Sequence, residues 1–146
     1  MRIGIVAGET SGDYLGAGLL KSLHKSVPGL EAEGIVGPRM QKEGAKSLFP
    51  MTQISLIGVD GLITNLSRLL RIRQKLYRHF IDHPPDLFVG IDLPDFNLHL
   101  EKKLRKNGVR TIHYVSPTVW AWRSWRISKI RQAVDHMLVL FPFEED

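Results

Sequence analysis

Two hydrophobic rhythms alternate along the chain. Short, nearly continuous apolar runs rich in β-branched residues are separated by longer stretches in which apolar positions recur every three or four residues, the sign of strand–helix–strand units. Arg2–Ala7 reads as a first strand, buried on both faces. Gly8–Gly12 is a turn, and Asp13–Ser26 a helix closed by Val27-Pro28-Gly29. A second strand spans Glu31–Val36, followed by Gly37-Pro38, a short helix over Met40–Glu43 and a short strand around Lys46–Phe49. Leu56–Ile81 is mostly one long helix, with a break placed at most near Gly58 and Gly61, and His83-Pro84-Pro85 stops it. Leu87–Ile91 is the next strand, Phe96–Lys106 a helix ending at Asn107-Gly108, and Val109–Val115 another strand. Pro117–Ile130 is helical in part, and His136–Leu140 is the last strand.

Strands and helices alternating in this way predict a parallel sheet with right-handed crossovers. The expected fold is therefore a doubly wound, Rossmann-like α/β domain over residues 1–146, without internal repeat or linker. Ligands of such sheets bind outside the carboxyl ends of the strands. Function is expected in the loops 8–13, 92–97 and 116–122.

Composition narrows the classes. Of 146 residues, 43% are hydrophobic and 24% charged, which excludes disordered and low-complexity chains. Cysteine is absent, so disulfide scaffolds, thiolate zinc sites and cysteine nucleophiles are excluded. Wholly apolar stretches such as Met137–Phe141 fall far short of the roughly 20 residues that span a bilayer. Met1-Arg2 runs straight into the first strand, so no signal peptide is expected and a cytoplasmic location is. The net charge of +5, from 20 Lys and Arg against 15 Asp and Glu, favours anionic partners without choosing among them.

The first loop, Gly8-Glu9-Thr10-Ser11-Gly12-Asp13, stands where a dinucleotide-binding protein keeps its phosphate loop, yet it is neither Gly-x-Gly-x-x-Gly nor a P-loop. Glu9 and Asp13 would repel a pyrophosphate at that helix start and suit a hydroxyl-rich ligand such as a sugar. Asp13 or Ser11 can equally be a helix cap, whereas Glu9 sits too early for one. In the second loop, Asp92 closes a buried strand, where partial desolvation suits a general base. Asp95 stands at the expected N-cap, and Asn97 either reaches a hydroxyl or ties down the first helical turn.

The third loop is densest: Trp120, Trp122 and Trp125 interleave with Arg123 and Arg126 after Ser116. Such a segment can stack on sugars and fork phosphate, sit at a membrane interface, form a nucleic-acid platform, or be core with solvated arginines. His113 has no partner at metal-ligand spacing and reads as structural. On the long helix, at about 100° per residue, Arg68, Arg71, Lys75 and Arg78 fall within roughly 80° of arc. Leu62, Leu66, Leu69, Leu70, Leu76, Tyr77 and Phe80 fill the other side, with Arg73 among them, needing to snorkel or find a partner. This basic face either meets anionic lipid or is an ordinary solvated surface.

The segments AGETSGD (7–13), GPRMQKEG (37–44), GIDLPDFN (90–97), TIHYVSPTVWAWR (111–123) and FPFE (141–144) together make the chain resemble the lipid A disaccharide synthases. The resemblance implies one half of a GT-B glycosyltransferase, the acceptor-binding half, with a UDP-sugar-binding half absent from residues 1–146. It implies inverting, metal-independent transfer from UDP-2,3-diacylglucosamine to 2,3-diacylglucosamine 1-phosphate at the cytoplasmic face of the inner membrane, with release of UDP. No cofactor, metal or nucleic-acid partner is expected, and a homodimer of the full-length enzyme is. Asp92 and Glu9 match catalytically important acidic positions: Asp92 leads as base, and Glu9 orients the acceptor or is the alternative base. Ser11, Asp13, Asn97, Ser116 and Trp120 become candidates for substrate contact, Arg123 and Arg126 for the acceptor phosphate, and Arg68, Arg71, Lys75 and Arg78 for the membrane. Residues 1–146 alone are expected to have little or no transferase activity.

Overall fold

In a computed structural model of the chain, residues 1–55, 62–115 and 125–140 are described, with 62–65 and 125–126 described by backbone alone. Six strands, β1 (Arg2–Ala7), β2 (Glu31–Val36), β3 (Lys46–Pro50), β4 (Leu87–Ile91), β5 (Arg110–Tyr114) and β6 (His136–Leu138), pair in parallel in the order β3-β2-β1-β4-β5-β6. Between them run the helices α1 (Thr10–Ser26), α2 (Pro38–Lys42), α3 (Leu62–Asp82), α4 (Pro94–Lys106) and α5 (Trp125–Ala133), and a short 3-10 turn follows β3 at Met51–Gln53.

The central strands carry apolar residues on both sides because both sheet faces are covered. Against one face, Ile72, Leu76 and Phe80 of α3 and Phe96, Leu100 and Leu104 of α4 pack with Val6 and Phe88. Against the other, Leu20 of α1 and Met40 of α2 pack with Ile3, Ile5, Ala7, Val89 and Ile91. The chain leaves β1 toward β2 and later returns to add β4 on the opposite side of β1, so the strand order reverses between β1 and β4. Ala7 and Ile91 are register partners, and the two strands therefore end level. Loops leaving level ends on opposite sides of a reversal open the crevice where doubly wound sheets place ligands.

Several expected boundaries move. Helix α1 starts at Thr10 instead of Asp13, putting Ser11 and Gly12 in its first turn. A side-chain-free Gly12 lets that turn begin close to Ala7, where an added Cβ would lie 3.1 Å from the Ala7 Cβ. Helix α4 starts at Pro94, with Leu93 as its N-cap, so Asp95 is not the cap it was expected to be. Proline supplies a first helical residue with its backbone already set. On α3, Leu66 and Leu70, expected on the buried side, are 58% and 46% exposed. Positions 56–61 and 117–124 of the two expected helices, and the final residues 141–146, lie outside the described residues.

Candidate functional site

The loops that follow β1 and β4 meet at the sheet's reversal and enclose a cleft of about 120 Å³ lined by Gly8, Glu9, Gly12, Asp92, Leu93 and Pro94. Gly8 brings the two loops together: a Cβ added there would sit 2.6 Å from the Leu93 Cδ2, so a larger residue would require the Leu93 side chain to move. Glu9 and Asp92 are both half-buried. Glu9 occupies the N-cap position of α1, with extended backbone and no capping hydrogen bond from its side chain. Among the described residues, neither carboxylate has a hydrogen-bond or ion-pair partner. Two unneutralised carboxylates lining one crevice can accept protons or bind hydroxyl groups, and they disfavour an anion between them.

Backbone strain collects at the same edge. Among the described residues, Asp92, Leu93 and Val115 are the non-glycine residues with positive φ, at 52°, 47° and 77°. Each such residue costs about 1–3 kcal/mol, which surrounding structure must offset. Here the Asp92 N–H donates to the Tyr114 carbonyl and the Val115 N–H to the Leu138 carbonyl, both at 2.9 Å, so hydrogen bonds to the adjacent strand hold Asp92 and Val115.

Beneath the cleft lies a buried polar group that joins Asn97 to a Glu101–His113 pair absent from the sequence expectations. Asn97 is wholly buried, and its Nδ2 donates to the carbonyls of Asp92 (2.8 Å), Ile91 (3.3 Å) and Val6 (3.5 Å). One turn further along α4, Glu101 is buried against His113 of β5, with His113 Nδ1 2.9 Å from Glu101 Oε1. Burial raises the Glu101 carboxyl above its ordinary range, opposed by the His113 hydrogen bond and charge and by the Gly90 N–H. Among the described residues, Asn97 Oδ1 and His113 Nε2 have no hydrogen-bond partner. A buried polar atom left unpaired costs about 1–3 kcal/mol. The signal was present in the sequence: Asn97, Leu100, Glu101 and Leu104 share one face of α4, and a glutamate on an apolar stripe needs a partner.

Two expected ligand-facing residues are thereby corrected. Asn97 does not reach into the cleft, and it ties the turn that carries Asp92. Asp13 is 1% exposed and caps a different helix from its own: its Oδ2 accepts the Arg39 N–H (2.9 Å) and its Oδ1 the Met40 N–H (3.0 Å), at the start of α2. His113, expected to be structural, is so: it is buried against the carboxylate of Glu101. Ser11 is exposed on the first turn of α1. Ser116, Trp120 and Arg123, and the side chain of Arg126, lie outside the described residues. Arg68, Arg71, Lys75 and Arg78 are all exposed on α3, while Arg73 is partly buried and donates from Nη1 to the Asp95 carbonyl at 3.3 Å. Among the described residues, no three His, Asp or Glu side chains gather as metal ligands would.

Comparison with known proteins adds to this geometry. Residues 3–146 match the family model described as lipid-A-disaccharide synthetase. The lipid-A-disaccharide synthases of Aeromonas hydrophila and Francisella philomiragia are 53% and 55% identical over 145 and 144 residues, 99% of this chain in each case. The chain spans 38% of the length of these relatives. Among solved structures, MurG of Acinetobacter baumannii matches with a TM-score of 0.63 at 12% identity, over 99% of this chain and 42% of that one. The UDP-GlcNAc 2-epimerase of Neisseria meningitidis, solved with UDP-GlcNAc bound, matches with a TM-score of 0.63 at 8% identity, over 95% of this chain and 40% of that one. At such identities the likeness is one of fold: a Rossmann-like half of GT-B type.

Proposed function

The chain belongs to the lipid-A-disaccharide synthetase family, and from that premise we propose that it is the acceptor-side half of an inverting UDP-sugar-dependent glycosyltransferase. The proposed reaction joins 2,3-diacylglucosamine, carried on UDP, to 2,3-diacylglucosamine 1-phosphate through a β-1,6 linkage. Asp92 takes the proton of the acceptor's 6-hydroxyl as that oxygen bonds to the anomeric carbon. The bond from the anomeric carbon to the UDP phosphate breaks on the opposite face, and UDP leaves with the bonding pair. Glu9, across the cleft, holds the acceptor hydroxyls. Donor binding falls to polypeptide beyond residues 1–146, so the 146-residue chain alone has little or no turnover.

One observation carries this reading: Asp92 and Glu9, unpaired among the described residues, line one cleft where the strand order reverses. An unneutralised carboxylate is what a general base at neutral pH requires. The segment Ser116–Arg126, with Trp120, Arg123 and Arg126, is proposed to complete the acceptor site. The exposed basic face of α3, with Arg68, Arg71, Lys75 and Arg78, is proposed to rest on anionic lipid at the inner membrane's cytoplasmic face. Asp92→Asn in the full-length protein tests the chemistry. Turnover is expected to fall by about 10²–10⁴-fold, the usual contribution of a positioned base, with lipid binding retained. Turnover within a factor of about two of the unmutated protein, far short of that contribution, would remove Asp92 as the base.

A further inference from the structure

We infer that Asn97 is a positioning residue that sets the separation and aim of Glu9 and Asp92. The inference rests on the reading of Asp92 as the base. All three acceptors of the Asn97 amide are main-chain carbonyls at the mouth of the sheet: Asp92 and Ile91 at the end of β4, and Val6 near the end of β1. Glu9 leaves the sheet three residues after Val6, and Asp92 is itself one of the held residues. A single buried amide therefore spans the reversal and ties together the two strand ends from which the cleft carboxylates depart.

The strain pattern shows why a clamp is needed. Asp92 and Leu93 both hold left-handed backbone, at φ 52° and 47°, which non-glycine residues leave readily when nothing holds them. The Asp92 carbonyl, between those two residues, is the shortest of the amide's contacts at 2.8 Å. The first turn of α4 adds a second tie, because the Asn97 N–H donates to the Leu93 carbonyl at 3.0 Å. Asn97 is seated from below as well. A Cβ added at Gly90 would stand 2.9 Å from the Asn97 Cβ and overlap the Glu101 carboxylate that pairs with His113. Asn97 Oδ1 gains no hydrogen bond from the described residues, so the side chain is oriented by what its nitrogen does.

The test compares Asn97→Leu, Asp92→Asn and the double variant in the full-length protein, residues 1–146 together with the polypeptide proposed to follow them. Asn97→Leu keeps the γ-branched shape and removes the donor. It is expected to lower kcat by about 10–100-fold with little change in KM for either substrate, as a misaimed catalytic group does. In the Asp92→Asn background the same change is expected to cost no further kcat, while the melting temperature falls equally in both backgrounds. If Asn97→Leu lowers only the melting temperature, or if the two losses of kcat multiply, the positioning role is overturned. If Asp92→Asn leaves kcat intact, the base assignment fails first and this inference falls with it. Should Asn97→Leu not fold, Asn97→Ala, which removes the donor without adding bulk, is run through the same cycle.

Discussion

Gly90 sits in the middle of β4, where glycine is ordinarily unfavourable, and the reason lies above it. The carboxylate of Glu101 and the side chain of Asn97 rest on its Cα, leaving no room for a methyl group. Gly90→Ala is expected to destabilise the chain by about 1–3 kcal/mol, as overpacking of a tight interior does, read as a lower denaturant midpoint. Asp13 makes a second residue-scale case. Its buried carboxylate satisfies two N–H groups at the start of α2. Asp13→Ala strands both and is expected to cost about 1–3 kcal/mol in the same measurement. The sequence shows both Asp13 and Asp92 as carboxylates beside strand ends, but not which faces outward. That depends on helix α1 starting three residues early, which turns Asp13 inward, and no local pattern announced it. The clamp by Asn97 was equally hidden, since its acceptors are main-chain atoms up to 91 residues away.

At the scale of elements, α3 is where periodicity was most legible and least sufficient. Its buried stripe of Ile72, Leu76 and Phe80 and its basic face follow the helical period as expected. Leu66 and Leu70 do not, because burial depends on how far the neighbouring elements extend over the helix, which its own pattern cannot reveal. The result is a helix that turns two exposed leucines, Leu66 and Leu70, to one side and a basic surface, with Arg71 and Lys75, to another. If that surface rests on anionic lipid, the double charge reversal Arg71→Glu with Lys75→Glu should weaken binding to vesicles containing anionic phospholipid. About 1 kcal/mol for each cation lost is expected, with no effect on zwitterionic vesicles. Unchanged flotation with anionic vesicles would leave α3 an ordinary solvated helix.

Across the whole molecule, the parallel, doubly wound sheet was recoverable because alternating strands and helices admit few topologies, and the crevice at the β1–β4 reversal follows from the strand order the structure adds. The α5–β6 unit is different in kind. Ala133 and Val134 are its fully buried residues among those described, and the rest of its attachment is a polar seam. Asp135 is the centre of that seam: it accepts the Thr111 N–H of β5 at 2.9 Å and the Arg105 Nε–H of α4 at 2.8 Å. Lys102 reaches Gln132, and Arg105 the Arg131 carbonyl, both at 2.8 Å. The Thr111 N–H, outweighing partial burial and aided by Arg105, holds the Asp135 carboxyl below its ordinary value of 3.8. A depressed native pKa means that the unfolded chain binds the proton more readily, so the stabilisation is fully present above 3.8 and is lost as pH falls through the lower native value. Asp135→Asn should therefore lower stability at neutral pH by about 1 kcal/mol, given a charge-assisted but partly exposed site. The gap from the unmutated chain should close below pH 3.8 as its own carboxyl protonates. Thermal midpoints of both proteins across that range decide it, because a gap that stays constant into acid would place the seam's strength in shape and neutral hydrogen bonding, with the charge contributing nothing.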